Sequence, residues 1–332
     1  MIPIVKADGK GEYLLLGQLA ARSQETDRRV TESVERILED VRLRGDEAVE
    51  EYTLRFDGTK PLLAPIGREE LKKLAESCDP DVYAALQRAA KNIEDFHRRQ
   101  VQQSWLTTQE NGVILGQRIR GLNRVGIYVP GGTAAYPSSV LMNAIPARIA
   151  GVKEIVMVTP PPKSGGFNSA VMAAAYIAGV DKVHLCGGAQ AVAALAYGTK
   201  SMEKVDKIVG PGNIYVATAK RLLFGIVDID MIAGPSEILI LADETAEPAY
   251  LAADLMSQAE HDPLASAILL TTSEEVARRT EAEIERQIVT LSREEVIRRS
   301  LRDYGAIIIC RDMEEAVDFA NRLAPEHLEV MC

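Results

Sequence analysis

Residues 124–132 read RVGIYVPGG, a short apolar run that ends in a proline and two glycines. Three further short apolar runs follow along the chain, separated by stretches of small residues with a helical pattern. Strands that alternate with helical stretches are typical of βαβ units around a parallel sheet. We therefore predict an α/β fold with strands at residues 125–129, 154–158, 182–185 and 207–209.

Glycine-rich loops follow three of these predicted strands. They read PGG at residues 130–132, CGG at 186–188 and GPGN at 210–213. Ligands of open α/β sheets bind outside the carboxyl ends of the strands, where glycine lets the backbone approach a ligand closely. Tight turns need the same glycines, so the spacing alone leaves both interpretations open. Neither GxGxxG nor GxxxxGK[ST] is present to indicate a nucleotide.

A second alternation of helices and strands begins after the sequence GPS at residues 234–236. The first third of the chain differs, because it is polar and helical, with helices predicted over residues 26–43 and from Asp79 onward. The second alternation predicts strands at 238–241, 267–270 and 306–310, and helices at 247–261, 274–288 and 313–323.

These patterns divide the chain into three parts. Residues 124–235 form one α/β domain, and residues 1–25 form a short N-terminal segment. We expect residues 26–123 to pack with 236–332 as a second, discontinuous α/β domain.

Composition and charge exclude several classes of protein. The 332 residues carry 38 basic and 48 acidic side chains, a net charge of −10, which disfavours a nonspecific nucleic-acid binder. No secretory signal and no apolar stretch of membrane-spanning length is evident, so no membrane partner is expected. The four cysteines are scattered without a CxxC pair, which is typical of reduced thiols in a cytoplasmic protein.

Two histidines lie in patterns that can carry chemistry. Gln258 and His261 are three residues apart, so on a helix they share a face, and together they can hold Zn²⁺ or a similar cation. A polar helix end, with His261 favoured by the dipole, explains the same pattern. Glu326 and His327 are adjacent and can serve two different proton transfers. A turn or short helix opened by Pro325 is the structural alternative.

Cys186 is the main candidate nucleophile, because it follows a predicted strand and precedes two glycines. Enzymes that oxidise aldehydes can use such a thiol to form a thiohemiacetal. A small buried apolar residue is the favoured alternative at this position.

Several segments together resemble the histidinol dehydrogenase family, in the order in which that family carries them. The resemblance covers the chain from about residue 26 to its end, and the ordered set is highly specific. The segments are GIYVPGG at residues 126–132, VLM at 140–142, IPA at 145–147, CGGAQA at 186–191, GPGN at 210–213, DMIAGPSE at 230–237, SQAEH at 257–261 and NRLAPEHL at 321–328.

The resemblance implies an NAD- and zinc-dependent enzyme that oxidises L-histidinol to L-histidine through bound L-histidinal, in two hydride transfers. This is the last step of histidine biosynthesis. The family's roles then fall on matching residues. The resemblance assigns NAD contacts to Tyr128, Gln190 and Asn213, a substrate contact to Ser236, zinc and substrate contacts to Gln258 and His261, and catalysis to Glu326 and His327, the latter also touching substrate.

The family fold has two incomplete Rossmann-like domains in an intertwined homodimer, with NAD in the domain that corresponds to residues 124–235. The family also supplies two further zinc ligands, an Asp and a His, from a segment that has no counterpart after residue 332. We therefore expect an incomplete zinc site and low activity from this chain. A zinc-independent dehydrogenase of another small alcohol, or a catalytically silent binding protein that keeps the fold, remains the alternative.

Overall fold

The computed structural model describes residues 2–8, 11–131, 136–162, 167–232 and 234–332, without the side chains of residues 11–16, 18–27 and 62. By their internal contacts the residues form two compact units. We call Arg29–Ala233 the central unit, and Met1–Arg28 together with Gly234–Cys332 the terminal unit. Each unit contains a sheet made mainly of parallel strands, which confirms the predicted α/β fold.

The helices and strands are numbered in chain order. The helices are α1 (Gly11–Arg44), α2 (Asp46–Asp57), α3 (Arg68–Ala75), α4 (Pro80–His97), α5 (Pro137–Ile149), α6 (Ser169–Ala178), α7 (Gly188–Tyr197), α8 (Ile214–Leu223), α9 (Pro248–Ala259), α10 (Glu274–Ile288), α11 (Glu294–Tyr304) and α12 (Met313–Leu323). The strands are β1 (Ile4–Lys6), β2 (Leu62–Gly67), β3 (Trp105–Thr108), β4 (Ile114–Gln117), β5 (Arg124–Tyr128), β6 (Glu154–Thr159), β7 (Lys182–Leu185), β8 (Lys207–Val209), β9 (Asp228–Ile229), β10 (Glu237–Ala242), β11 (Ser266–Thr271), β12 (Gly305–Ile309) and β13 (His327–Met331).

The sheet of the central unit reverses its strand order at β5. Its order is β2-β7-β6-β5-β8-β9, with only β2 antiparallel to its neighbour. The chain passes from β5 through β6 to β7, and then returns to the other side of β5 for β8. The loops after β5 and β8 therefore flank a topological switch point, where ligands of open α/β sheets bind.

The strands of this sheet are buried on both faces, as expected for parallel strands covered by helices. Because side chains alternate along a strand, Ile127 and Met157 pack with α3 to α6, whereas Tyr128 and Val158 pack with α1, α2, α7 and α8. The helices that follow β5 and β8 consequently lie on opposite faces of the sheet.

The sheet of the terminal unit is parallel throughout, in the order β1-β12-β11-β10-β13. β10 pairs with β11 on one side and with the edge strand β13 on the other. The amino ends of β10, β11 and β13 therefore lie side by side at the same end of the strands, which we call the amino edge of this sheet.

The units differ from the expected domain boundaries. Residues 29–123 were expected to pack with 236–332, but they belong to the central unit. The apolar faces of α1 and α2 pack against α7 and α8, and those of α3 and α4 pack against α5 and α6. The expected N-terminal segment is not separate either, because β1 pairs with β12 in the terminal unit.

Candidate active site

The three residues matched to NAD contacts lie at the carboxyl edge of the central sheet. Tyr128 ends β5, Gln190 lies in the first turn of α7 after β7, and Asn213 lies in the loop after β8. The first and last of these flank the topological switch point. The PGG sequence after β5 lies partly outside the described residues, because Gly132 is not one of them.

Tyr128 and Gln190 are buried, with only 3% and 1% of their surfaces exposed. The Tyr128 hydroxyl accepts a hydrogen bond from the backbone N–H of Gly188 at 3.0 Å, and burial raises its pKa to about 12. The Gln190 amide donates to the Thr53 hydroxyl at 3.5 Å, while its buried Oε1 has no hydrogen-bond partner. A buried polar atom without a partner is costly unless something else satisfies it.

Asn213 is exposed and begins α8. Its Oδ1 accepts hydrogen bonds from the backbone N–H groups of Tyr215 and Val216 at 3.1 and 3.2 Å, which is the usual role of an N-cap asparagine. Since the cap uses only the oxygen, the Nδ2 amide is the donor available to a ligand. Of the three matched residues, Asn213 is the one whose side chain faces solvent.

The residues matched to substrate, zinc and catalysis gather at the amino edge of the terminal sheet. Ser236 directly precedes β10, and its carbonyl accepts from the N–H of Ser266 at the start of β11, at 2.9 Å. His261 lies in the connection from α9 to β11, and Glu326 and His327 lie at the start of β13. His327 is paired with Ile238, two residues after Ser236. Three separate stretches of sequence thus bring candidate residues to the amino ends of neighbouring strands.

The helix expected to carry both Gln258 and His261 ends earlier than predicted. α9 ends at Ala259, and the N–H of His261 donates to the carbonyl of Gln258 at 3.1 Å, within a turn. The chain then turns again, where Asp262 accepts from the N–H of Leu264 at 2.8 Å. The helix therefore ends two residues earlier than predicted, and a turn held by the Gln258 carbonyl continues the chain to His261.

Glu326 and His327 do not lie in a turn or short helix opened by Pro325, because His327 begins the edge strand β13. The Nε2 atom of His327 is 3.9 Å from Oε1 of Glu326, and both side chains are about half exposed, at 51% and 56%. Just before them, Ala324 ends α12 with φ at +47°. This left-handed conformation is unfavourable for alanine. It turns the chain from α12 into the strand that carries the pair.

Sequence reasoning missed Glu329, which lies two residues beyond His327 on β13. Burial raises the pKa of Glu329, and the charge of Asp254 and a hydrogen bond to that carboxyl raise it further. The charge of His327 acts in the opposite direction and lowers it. The two-residue spacing was the signal for this neighbour, but it applies only to a strand, and no strand was predicted here.

The thiol of Cys186 is unsuited to nucleophilic attack. The side chain is completely buried, and burial raises its pKa to about 12. The thiolate is the reactive form of cysteine, so almost none is available near neutral pH. The structural alternative, a small buried residue behind the Gly187–Gly188 loop, describes this position.

Known proteins match this chain over most of its length. The family model described as histidinol dehydrogenase matches residues 20–332. A histidinol dehydrogenase of Syntrophotalea carbinolica is 54% identical over 332 residues, which cover 99% of this chain and 77% of that protein. The chain belongs to the histidinol dehydrogenase family. A second relative, the histidinol dehydrogenase of Clostridium acetobutylicum, is 51% identical over 94% of this chain and 73% of its own length.

A solved structure of the histidinol dehydrogenase family has the same fold. The crystal structure of histidinol dehydrogenase from Elizabethkingia anophelis superposes with a TM-score of 0.83 at 38% identity, covering 90% of this chain and 69% of that one. The resemblance stated from the ordered motifs is thus confirmed, as is the expectation of an oxidoreductase. Among the described residues, no helix is long and apolar enough to cross a membrane.

Proposed function

We propose that this chain oxidises L-histidinol to L-histidine with NAD, through bound L-histidinal, as the last step of histidine biosynthesis. One observation carries the proposal within a chain of this family. Ser236, His261 and the adjacent pair Glu326 and His327 come from three separate stretches of sequence and lie at the amino ends of neighbouring strands of one sheet. A substrate bound there would face a hydroxyl, an imidazole and an acid–base pair together.

The central unit fits NAD at its switch point. The buried Oε1 of Gln190 has no partner in the protein, and the loop after β8 presents the amide of Asn213. Bound NAD would supply the acceptor for both hydrides. Tyr128 at the end of β5, Gln190 in the first turn of α7 and Asn213 before α8 would hold it and exclude water from the side of the cofactor that faces the protein.

Zinc fits the described residues less well. Gln258 and His261 supply an oxygen and a nitrogen of the types that zinc accepts. Catalytic zinc sites nevertheless use three protein ligands. Among the described residues, no three His, Cys, Asp or Glu side chains are grouped closely enough to hold a metal ion. Gln258 and His261 are therefore the proposed ligands, and the proton transfers belong to protein side chains.

The acid–base pair has two separate tasks. The imidazole of His327 takes the proton of the alcohol as the first hydride leaves, which gives histidinal. Glu326 takes a proton from the water that adds to the aldehyde, and the carbonyl oxygen takes up a proton from solvent to give the hydrate. His327 then takes the hydrate's proton as the second hydride leaves. Because His327 must lose its first proton before it acts again, its half-exposed position favours exchange with solvent.

The test is NADH formation from L-histidinol and NAD⁺ with zinc added, together with the yield of histidine. Replacing His327 with Asn should lower the rate by roughly 10²–10⁴-fold, the usual contribution of a general base. Glu326→Gln should slow the oxidation of supplied histidinal more than that of histidinol. His97→Asn, at a partly exposed histidine of the central unit, is the matched control.

A chain that binds NAD⁺ but oxidises another small alcohol faster than histidinol would contradict the proposal. So would a folded chain that binds neither compound. The homodimer implied by the family is part of the same proposal, and the mass of the protein in solution tests it.

A further inference from the structure

A lysine buried in the central unit has no part in the proposed chemistry. Lys220 lies on α8 and is only 3% exposed. Its Nζ donates to the carbonyl of Gly210 at 3.0 Å and forms an ion pair with the carboxylate of Asp230. A buried ammonium group is costly unless it is paired and hydrogen-bonded, and both of its partners here lie beyond the carboxyl ends of strands.

Asp230, just after β9, completes a triangle with Lys220 and Gly210. Its Oδ2 accepts a hydrogen bond from the N–H of Gly210 at 2.8 Å. The carbonyl and the N–H of Gly210 are therefore both held, one by the lysine and the other by the aspartate. We call these three residues the Lys220 brace.

Gly210 begins the loop between β8 and α8 and has a backbone that favours glycine. Its φ is +109°, and a Cβ atom at this position would lie 2.3 Å from the carbonyl oxygen of Tyr128. The brace therefore holds the start of this loop tightly against the end of β5. Asn213, the N-cap of α8, follows three residues later.

We propose that Lys220 is a positioning residue for the cofactor: through Asp230 and the backbone of Gly210, it fixes the β8–α8 loop so that Asn213 is presented to NAD. This inference rests on the proposed function, because it assumes that NAD binds at the switch point. Stability alone does not require a buried ammonium here, since an apolar side chain of similar volume often serves a core equally well. The two partners of the ammonium, Gly210 and Asp230, both restrain the loop between β8 and α8.

The test compares Lys220→Met with the same substitution at a second lysine of the central unit. Lys207 on β8 pairs with Asp228 on β9 at 2.9 Å, but this pair is partly exposed. Lys220→Met should raise the Kd and the KM for NAD⁺ by about tenfold or more, the effect of roughly 1.4 kcal/mol of lost positioning. The KM for histidinol should change by less than about twofold. Lys207→Met should leave the affinity for NAD⁺ unchanged, and Lys220→Arg should restore part of it.

Hydrogen exchange gives a second measurement that needs neither cofactor nor turnover. Lys220→Met should speed exchange at the amides of Gly210, Tyr215 and Val216, whereas Lys207→Met should not. If Lys220→Met does not fold, Asp230→Asn gives the same comparison, because it removes the charge and keeps an acceptor for Gly210.

Each result is decisive. A folded Lys220→Met protein that binds NAD⁺ as tightly as the wild type overturns the inference, as does an equal loss of affinity for NAD⁺ and histidinol. Unchanged exchange at the loop amides also overturns it. If the wild-type chain itself fails to bind NAD⁺ in calorimetry, the proposed function fails, and faster loop exchange in the variant would then establish a brace that serves no cofactor.

Discussion

His327 lies opposite Ile238 in the parallel pairing of β13 with β10. The register therefore places this candidate catalytic residue two positions beyond Ser236 along the sheet. Backbone pairing between the two strands thus fixes the position of His327 along the strand direction relative to the start of β10. The side chain is free to exchange protons with solvent because β13 is the edge strand and His327 is its first residue.

The proximity of the Glu329 and Asp254 carboxyl groups predicts that stability depends on pH. Burial and Asp254 raise the pKa of Glu329 in the folded protein. The folded state therefore holds this proton more tightly than the unfolded state, and stability is lost as the pH rises above the ordinary glutamate value. Glu329→Gln should consequently raise the melting temperature relative to wild type at about pH 8, and less at about pH 4.

Thermal unfolding of both proteins across this pH range is the measurement. Glu244→Gln removes the same charge from an exposed loop of the terminal unit and serves as the control. An equal shift of the melting temperature at both pH values would contradict the prediction for Glu329.

The conformation of Ala324 predicts a stabilising substitution. Glycine adopts φ near +47° without the steric cost that alanine has there, so Ala324→Gly should raise the free energy of unfolding by about 1 kcal/mol. Ala320→Gly, inside the same helix, should instead lower it by at least about 1 kcal/mol. Urea denaturation measures both, and a destabilised Ala324→Gly protein would show that the side chain matters more than the backbone at this turn.

The burial of the cysteines predicts their order of reaction. Three are buried in the structure, whereas Cys332 is exposed. A thiol reagent should therefore modify one cysteine quickly in the native protein, and Cys332→Ser should abolish that fast reaction. All four should react after denaturation. Fast labelling of Cys186 in the native protein, identified by mass spectrometry, would contradict its burial and its raised pKa.

The position of His261 predicts its part in metal binding. If Gln258 and His261 are the only protein ligands that this chain supplies, zinc should bind weakly and His261→Ala should weaken it by roughly tenfold or more. Competition with a coloured chelator measures the affinity, with His97→Ala as the control. Zinc that remains stoichiometric through long dialysis in the His261→Ala protein would exclude this residue as a ligand.

Much of the fold was predictable because its strands are short apolar runs bounded by glycine and proline. The predicted strand at 182–185 and the predicted helices at 274–288 and 313–323 match β7, α10 and α12 residue for residue. These predictions are correct because one periodicity of apolar residues dominates each element, and a capping residue marks the start of both helices. Ser273 and Asp312 provide those caps.

The elements that were missed depend on partners distant in sequence. β13 reads HLEVM, and four of its five residues alternate between exposed and half-buried surfaces, so only its pairing with β10 identifies it as a strand. β1 has three residues and forms only because β12 lies beside it. The two units differ from the expected domains for the same reason, since the apolar faces of α1 to α4 do not reveal which sheet they cover.

The candidate site was predictable through the ordered motifs rather than through spacing. Spacing alone left metal, acid–base and nucleophile interpretations open at His261, His327 and Cys186. The structure decides against the last of these through burial. It also adds what no local pattern could contain, such as the buried contact of Lys220 with a loop ten residues earlier in the chain.

The Lys220 brace has a consequence for how this part of the molecule can evolve. Loss of the carboxylate leaves a buried ammonium without its counter-charge, which makes this the costlier single change, whereas loss of the lysine leaves a carboxylate that is partly exposed. Replacing both with apolar residues costs less than the two separate changes imply. A scan of paired substitutions should therefore show positive epistasis between positions 220 and 230, and natural variants that lose Asp230 should also lose Lys220.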